Sequence, residues 1–96
     1  MRLAFRNPAL QKLEREDDPA YSESVTERYR SRVNLIRNAL DERDFRALKS
    51  LHFEKLKGNR SHQYSMRLND QFRLILEYEG EAPNKTVVIV DIQDYH

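Results

Sequence analysis

The apolar positions change period partway along the chain, and the change separates two kinds of element. Val25, Tyr29, Val33, Ile36 and Leu40 recur at spacings of four and three, which lines one face of a helix. Ser24-x-x-Glu27 at the start of that run is a capping-box pattern, in which each side chain satisfies an orphan amide of the first turn. The spacing predicts a helix from about Ser24 to about Leu40. Arg28, Arg30, Arg32 and Arg37 fall on its other side and are expected to form a solvated face. A shorter helix precedes it: Pro8 suits a first helical turn, and Leu10 and Leu13 lie three apart. Glu16-Asp17-Asp18-Pro19 ends it, because a proline disfavours helical backbone in the residue before it. Arg2–Phe5 reads as a short strand, and Asp41 can cap a further turn or two through Phe45 and Leu48.

After Leu51 the period drops to two. Tyr64, Met66 and Leu68 alternate with polar residues, and Phe72, Leu74, Leu76 and Tyr78 alternate with Arg73, Ile75 and Glu77. Both runs predict half-buried strands, joined through the turn residues Asn69-Asp70. A two-residue loop would set Met66 opposite Arg73 and mix apolar with charged residues on both faces. A three-residue loop, Asn69 to Gln71, pairs Arg67 with Arg73 and collects the apolar residues on one face. A one-residue slip turns every side chain over, so the second register is expected. It leaves Ser65, Arg67, Arg73 and Ile75 on a face with nothing assigned to it, where two adjacent arginines repel unless something anionic sits by them. Gly80 to Asn84 reads as a loop. Lys85 to Ile92 reads as a strand apolar on both faces, hence central. The fold class expected is α+β: two to three N-terminal helices packed on one face of a twisted antiparallel sheet, mixed at the N-terminal strand.

Composition bounds the picture. Ninety-six residues make one domain, residues 1–96, with a single core. Hydrophobic residues at 39% suffice for that core, and charged residues at 34% imply a heavily charged surface. The absence of cysteine rules out disulfides and thiolate metal sites and points to the cytoplasm. No apolar run approaches the roughly 20 residues of a membrane span, and MRLAFRNPAL lacks the features of a signal peptide. The net charge of +1 says less than its distribution. Between Lys49 and Ile75 the bases Lys49, Lys55, Lys57, Arg60, Arg67 and Arg73 face only the acids Glu54 and Asp70. Such a patch on a near-neutral protein suits an anionic partner as well as it suits an ordinary solvated face.

The chemistry available is narrow. His52, His62 and His96 have no zinc-type spacing, so no metal site is expected. With only Gly58 and Gly80 there is no glycine-rich phosphate loop, and no serine sits in a nucleophile motif. What remains is the cationic turn Lys57-Gly58-Asn59-Arg60 and the Asp94-Tyr95-His96 that follows the last strand. Imidazole moves protons near neutral pH. Lysine and arginine stabilise the charge of a pentavalent phosphate, and tyrosine stacks on a base or bonds a phosphate. Together they suit RNA cleavage without a metal, the ribose 2′-hydroxyl acting as nucleophile. The plainer alternative is a soluble hairpin turn and a polar tail.

The segments LKGNR, YSMRLNDQFRLIL and DYH, in that order after LAFRNPALQKL and an amphipathic helix, resemble the HigB toxins (host inhibition of growth, or plasmid-maintenance killer) of the RelE/ParE superfamily. The resemblance covers essentially the whole chain. It implies a RelE-like microbial RNase fold and a cytoplasmic, ribosome-dependent mRNA endonuclease that needs no cofactor. It implies as partners the 70S ribosome with its mRNA and a HigA-type helix-turn-helix antitoxin, through which the complex binds operator DNA, and no membrane. Carried over position by position, it assigns catalysis to Lys57, Arg73, Asp94, Tyr95 and His96. The neighbouring Lys55, Arg60, Arg67 and His52 are expected to contact RNA. Two positions depart from the pattern. Glu54 stands where some relatives have a histidine, and His52, on the same side of a strand, is a candidate substitute. Phe72 stands where tryptophan is common. Within the same superfamily a ParE-like gyrase inhibitor is the alternative, and outside it a non-catalytic RNA- or partner-binding module.

Overall fold

The computed structural model describes residues 1–95. In chain order the elements are β1 (Arg2–Phe5), α1 (Pro8–Leu13), α2 (Glu23–Asn38) and α3 (Glu42–Ala47), followed by β2 (Glu54–Lys55), β3 (Gln63–Arg67), β4 (Phe72–Glu79) and β5 (Thr86–Asp94). Short 3-10 turns occupy Lys49–Leu51 and Gly58–Arg60. The five strands form one sheet in the order β1-β5-β4-β3-β2. β1 runs parallel to β5, and the other neighbours are antiparallel. The apolar stripe of α2 packs Val25, Tyr29, Val33 and Ile36 against Met66, Leu68, Leu74, Leu76, Val87, Ile89 and Ile92, all buried. The helices cover one sheet face, as the hydrophobic pattern requires.

Helix starts follow local chemistry. Asn7 caps α1 by accepting from the Ala9 amide at 3.0 Å, with Pro8 in the first turn. The cap of α2 is Ser22, not the expected Ser24: Ser22 has extended backbone and its hydroxyl accepts from the Val25 amide at 3.2 Å. Asp41 caps α3 as expected. The arginines of α2 are not a simple solvated face. Arg30 donates to the Leu13 carbonyl and pairs with Asp17, and Arg37 grips Glu14 with both ends of its fork. Arg32 is buried and donates to the Arg67 carbonyl at 3.1 Å, and that burial, with Arg28 nearby, lowers its pKa. Arg30 and Arg37 tie α2 to the α1 region, and Arg32 ties it to the end of β3.

The three-residue loop is present. Arg67 pairs with Arg73 and Met66 with Leu74, the Leu68 amide donates to the Phe72 carbonyl at 2.9 Å, and Asn69 Oδ1 accepts from both the Gln71 and Phe72 amides. The second sheet face is not open along its length, however. Ser65 and Ile75 are fully buried on it. The Arg60 side chain lies across them, bonded to Gln63 of β3 and to Gln93 of β5. An arginine stem covers apolar surface while its charged end stays paired.

β5 carries the feature that positions the site. Ile75 pairs with Asp91 but Leu76 pairs with Ile89, so β5 holds one extra residue, a β-bulge at Val90. Before it Val87 and Ile89 point into the core; after it Ile92 does, opposite Leu74. The bulge reverses the phase of the strand and turns Gln93 onto the second face, beside Arg73.

Candidate functional site

Arg73 sits at the centre of the site, on the second face of β4. One of its Nη atoms donates to the His52 carbonyl, and its guanidinium lies 5.8 Å from the centre of the Tyr95 ring, a cation–π distance. Its Nε is buried and has no hydrogen-bond partner among the described residues. His52 reaches this position by a left-handed backbone, φ 45°, that closes the 3-10 turn after α3. It therefore does not alternate with Glu54 along a strand as expected, because β2 begins only at Glu54. Its approach to Arg73 comes from the turn instead. Tyr95 is held by its amide, which donates to the Gln71 carbonyl at 2.6 Å, and its side chain is partly exposed. Asp94, opposite Phe72 on β4, accepts from Gln71 Nε2 at 3.0 Å. Asp94 and Tyr95 are thus both tied to the β3–β4 turn.

Arg67 lies across from Arg73, and their repulsion is offset internally. Arg67 pairs with Asp70 and donates to the Asn69 carbonyl. His52, Arg67, Asn69, Asp70, Arg73 and Tyr95 line one cleft of about 260 Å³. Among the described residues that line the cleft the carboxylate is Asp70, which is almost fully exposed and displaceable at little cost.

The structure brings some expected residues together and keeps others apart. Tyr95, Arg73, Arg67 and His52 share the cleft, and Asp94 adjoins it through Gln71. Lys57 is exposed at the start of the Gly58–Arg60 turn and does not line the cleft. Gly58 takes φ 67° there, which explains the glycine. Arg60 is engaged with two glutamines over the second face. Lys55 pairs with Tyr64, whose ring packs against Phe53 and Tyr78, so Lys55 is on the helix side of the sheet. Its neighbour Glu54 pairs with Ser65 on the Arg73 side. His96 lies outside the described residues. Sequence reasoning missed Gln93 and the turn residues Asn69, Asp70 and Gln71 as parts of the site. The signal for Gln93 was the break in spacing from Val87 and Ile89 to Ile92.

Among the described residues no three histidine, aspartate or glutamate side chains gather as metal ligands, and no helix is long and apolar enough to cross a membrane.

The model of a family described as the RelE-like toxin of the type II toxin–antitoxin system HigB matches residues 3–96. No curated protein matches the chain. Among solved structures it is similar to a YoeB/ParE toxin from Agrobacterium tumefaciens, with a TM-score of 0.63 and 17% identity over the full length of both chains. At that identity the likeness concerns the fold, and it bears out the expected α+β arrangement.

Proposed function

The chain belongs to the HigB-like family of RelE-like toxins of type II toxin–antitoxin systems, and on that premise we propose that it is a ribosome-dependent mRNA endonuclease, an mRNA interferase neutralised by a HigA-type antitoxin. The observation that carries this reading is the convergence of Arg73, Arg67, Tyr95 and His52 on one cleft. Two cationic forks there suit a phosphate, and a ring beside them suits a base.

In the proposed reaction the ribose 2′-hydroxyl attacks the adjacent phosphorus as its proton leaves. The bond from phosphorus to the 5′-oxygen breaks, that oxygen takes up a proton, and a 2′,3′-cyclic phosphate remains. Nucleophile and electrophile belong to the same substrate, so the reaction calls for no bound metal and no cofactor. Arg73 holds the phosphate and the charge that builds on it, and Arg67 supplies a second cation once Asp70 yields. Tyr95 positions a nucleotide. The family resemblance assigns proton transfer to His96, a further cation to Lys57 and an orienting role to Asp94. The ribosome supplies the bent geometry that in-line attack needs, and such positioning is worth much of a barrier. The cytoplasm, where messages are translated, is the place of action.

The test is a brief induction in cells followed by mapping of mRNA 5′ ends. Codon-linked cuts in translated messages, lost with Arg73→Ala, support the reading. DNA damage with intact messages supports gyrase poisoning instead, and neither outcome supports a non-catalytic binding module.

A further inference from the structure

Arg60 was expected on charge alone to meet RNA, but its guanidinium is not a mobile surface cation. Its Nε donates to Gln63 Oε1 at 2.9 Å and its Nη2 to Gln93 Oε1 at 2.7 Å. The Gln63 amide is in turn committed: its Nε2 donates to Glu77 Oε2 at 2.9 Å. A carboxylate carries no proton and only accepts. Glu77 therefore obliges Gln63 to present its NH2 end to it, and the amide oxygen is left facing Arg60. Glu77 is itself held by Arg6 at 2.7 Å and by His62 at 3.6 Å, and its side chain is 13% exposed. Gln93, at the other end of the chain of contacts, is the cross-strand neighbour of Arg73. The Arg60 guanidinium is thereby fixed beside the cleft, one strand over from Arg73.

We propose that Glu77 and Gln63 are positioning residues that hold Arg60 as a fixed second phosphate subsite, adjacent to the Arg73 cleft and taking a neighbouring phosphate of the same RNA strand. The subsite rests on the reading of the cleft as an RNA site. Glu77 acts only through the orientation of the Gln63 amide. Glu77→Gln keeps the shape but lets residue 77 donate, so Gln63 is free to turn its NH2 end toward Arg60 and expel it.

The probe is a single-stranded RNA oligonucleotide methylated at every ribose 2′-oxygen, which binds without being cut. Its affinity is measured against salt between about 50 and 200 mM. Arg60→Gln and Glu77→Gln are each expected to lower the slope of log affinity on log salt by about 0.7, one single-strand phosphate contact. The Arg60→Gln/Glu77→Gln double variant should fall no further than either alone, because both remove the same contact. Arg6→Gln, which removes the ion pair and keeps the carboxylate, should leave the slope unchanged. If Glu77→Gln does not fold, Gln63→Leu removes the same acceptor and carries the same expectation. A lowered slope for Arg60→Gln but not for Glu77→Gln overturns the positioning role. If Arg73→Ala lowers the slope and Arg60→Gln does not, the subsite is overturned and the reading of the cleft stands. If neither lowers it, the RNA reading itself fails and the subsite falls with it.

Discussion

Asp70 and Tyr29 show how differently single residues are weighted in this molecule. Asp70 pairs with Arg67 while almost fully exposed, and an exposed pair of this kind contributes little to stability. Asp70→Asn is expected to change unfolding free energy by less than about 0.5 kcal/mol, read from a urea midpoint. It should tighten binding of the methylated oligonucleotide, because a carboxylate competing with phosphate for Arg67 is gone. Tyr29 is the reverse case. Its ring is fully buried and its hydroxyl donates to the Leu10 carbonyl at 2.5 Å, and burial pushes its pKa well up. Tyr29→Phe leaves that carbonyl without its donor and should cost about 1–3 kcal/mol, with RNA binding unchanged. Carboxylates set the response to acid. The Arg37 fork holds Glu14 below its ordinary pKa. The Gln63 hydrogen bond, followed by Arg6 and His62, does the same for Glu77. A depressed folded pKa means stability that is present above the unfolded pKa and lost as pH falls through the folded one. The melting temperature should therefore fall from about pH 4.5 downward, and Glu14→Gln should flatten that fall.

At the scale of elements the bulge in β5 decides whether the site exists. Straight alternation from Val87 and Ile89 would send Gln93 and Tyr95 into the core and Ile92 out. Deleting Val90 removes the extra residue, and straight alternation then keeps Ile89 and Ile92 inward and Gln93 outward, so it should cost less than about 3 kcal/mol and preserve the site. The check is a urea titration together with oligonucleotide binding, which should be retained; loss of binding in a folded variant would contradict this. The bulge was hard to read because residues 87–90 are all apolar and so carry no phase. The β3–β4 register was readable for the opposite reason: its two alternatives differ in the face of every residue, and only one separates apolar from charged. The same contrast holds for the arginines of α2. Their spacing sets Arg30 and Arg37 away from the core stripe, while Arg32, three residues after Tyr29 and four before Ile36, falls on it and is buried. It cannot show that Glu14 and Asp17, or the Arg67 carbonyl 35 residues away, will bind them. Ser22 rather than Ser24 as the cap is a smaller miss of the same kind, since both are serines and only the backbone entering the helix chooses between them.

Across the whole molecule, core and site lie on opposite faces of one sheet. The helices and the inward residues of β3, β4 and β5 carry the packing. The described part of the site is made of outward residues, turns and the end of β5. This division explains why the fold was legible from periodicity while the site was only partly so. Tyr95, Arg73, Arg67 and His52 do meet, but the cover over Ser65 and Ile75 is an arginine, which no hydrophobic pattern marks as a covering residue. It also means that Arg73→Ala should leave the core intact. The most direct measurement of the central claim is cleavage of a defined mRNA on purified ribosomes by the purified chain, with fragment ends mapped. The wild-type chain should cut the ribosome-bound message and leave 2′,3′-cyclic phosphate ends, and Arg73→Ala and His96→Ala should each slow the cut about 100-fold or more. An intact message with the wild-type chain, or undiminished cutting by Arg73→Ala, would contradict it.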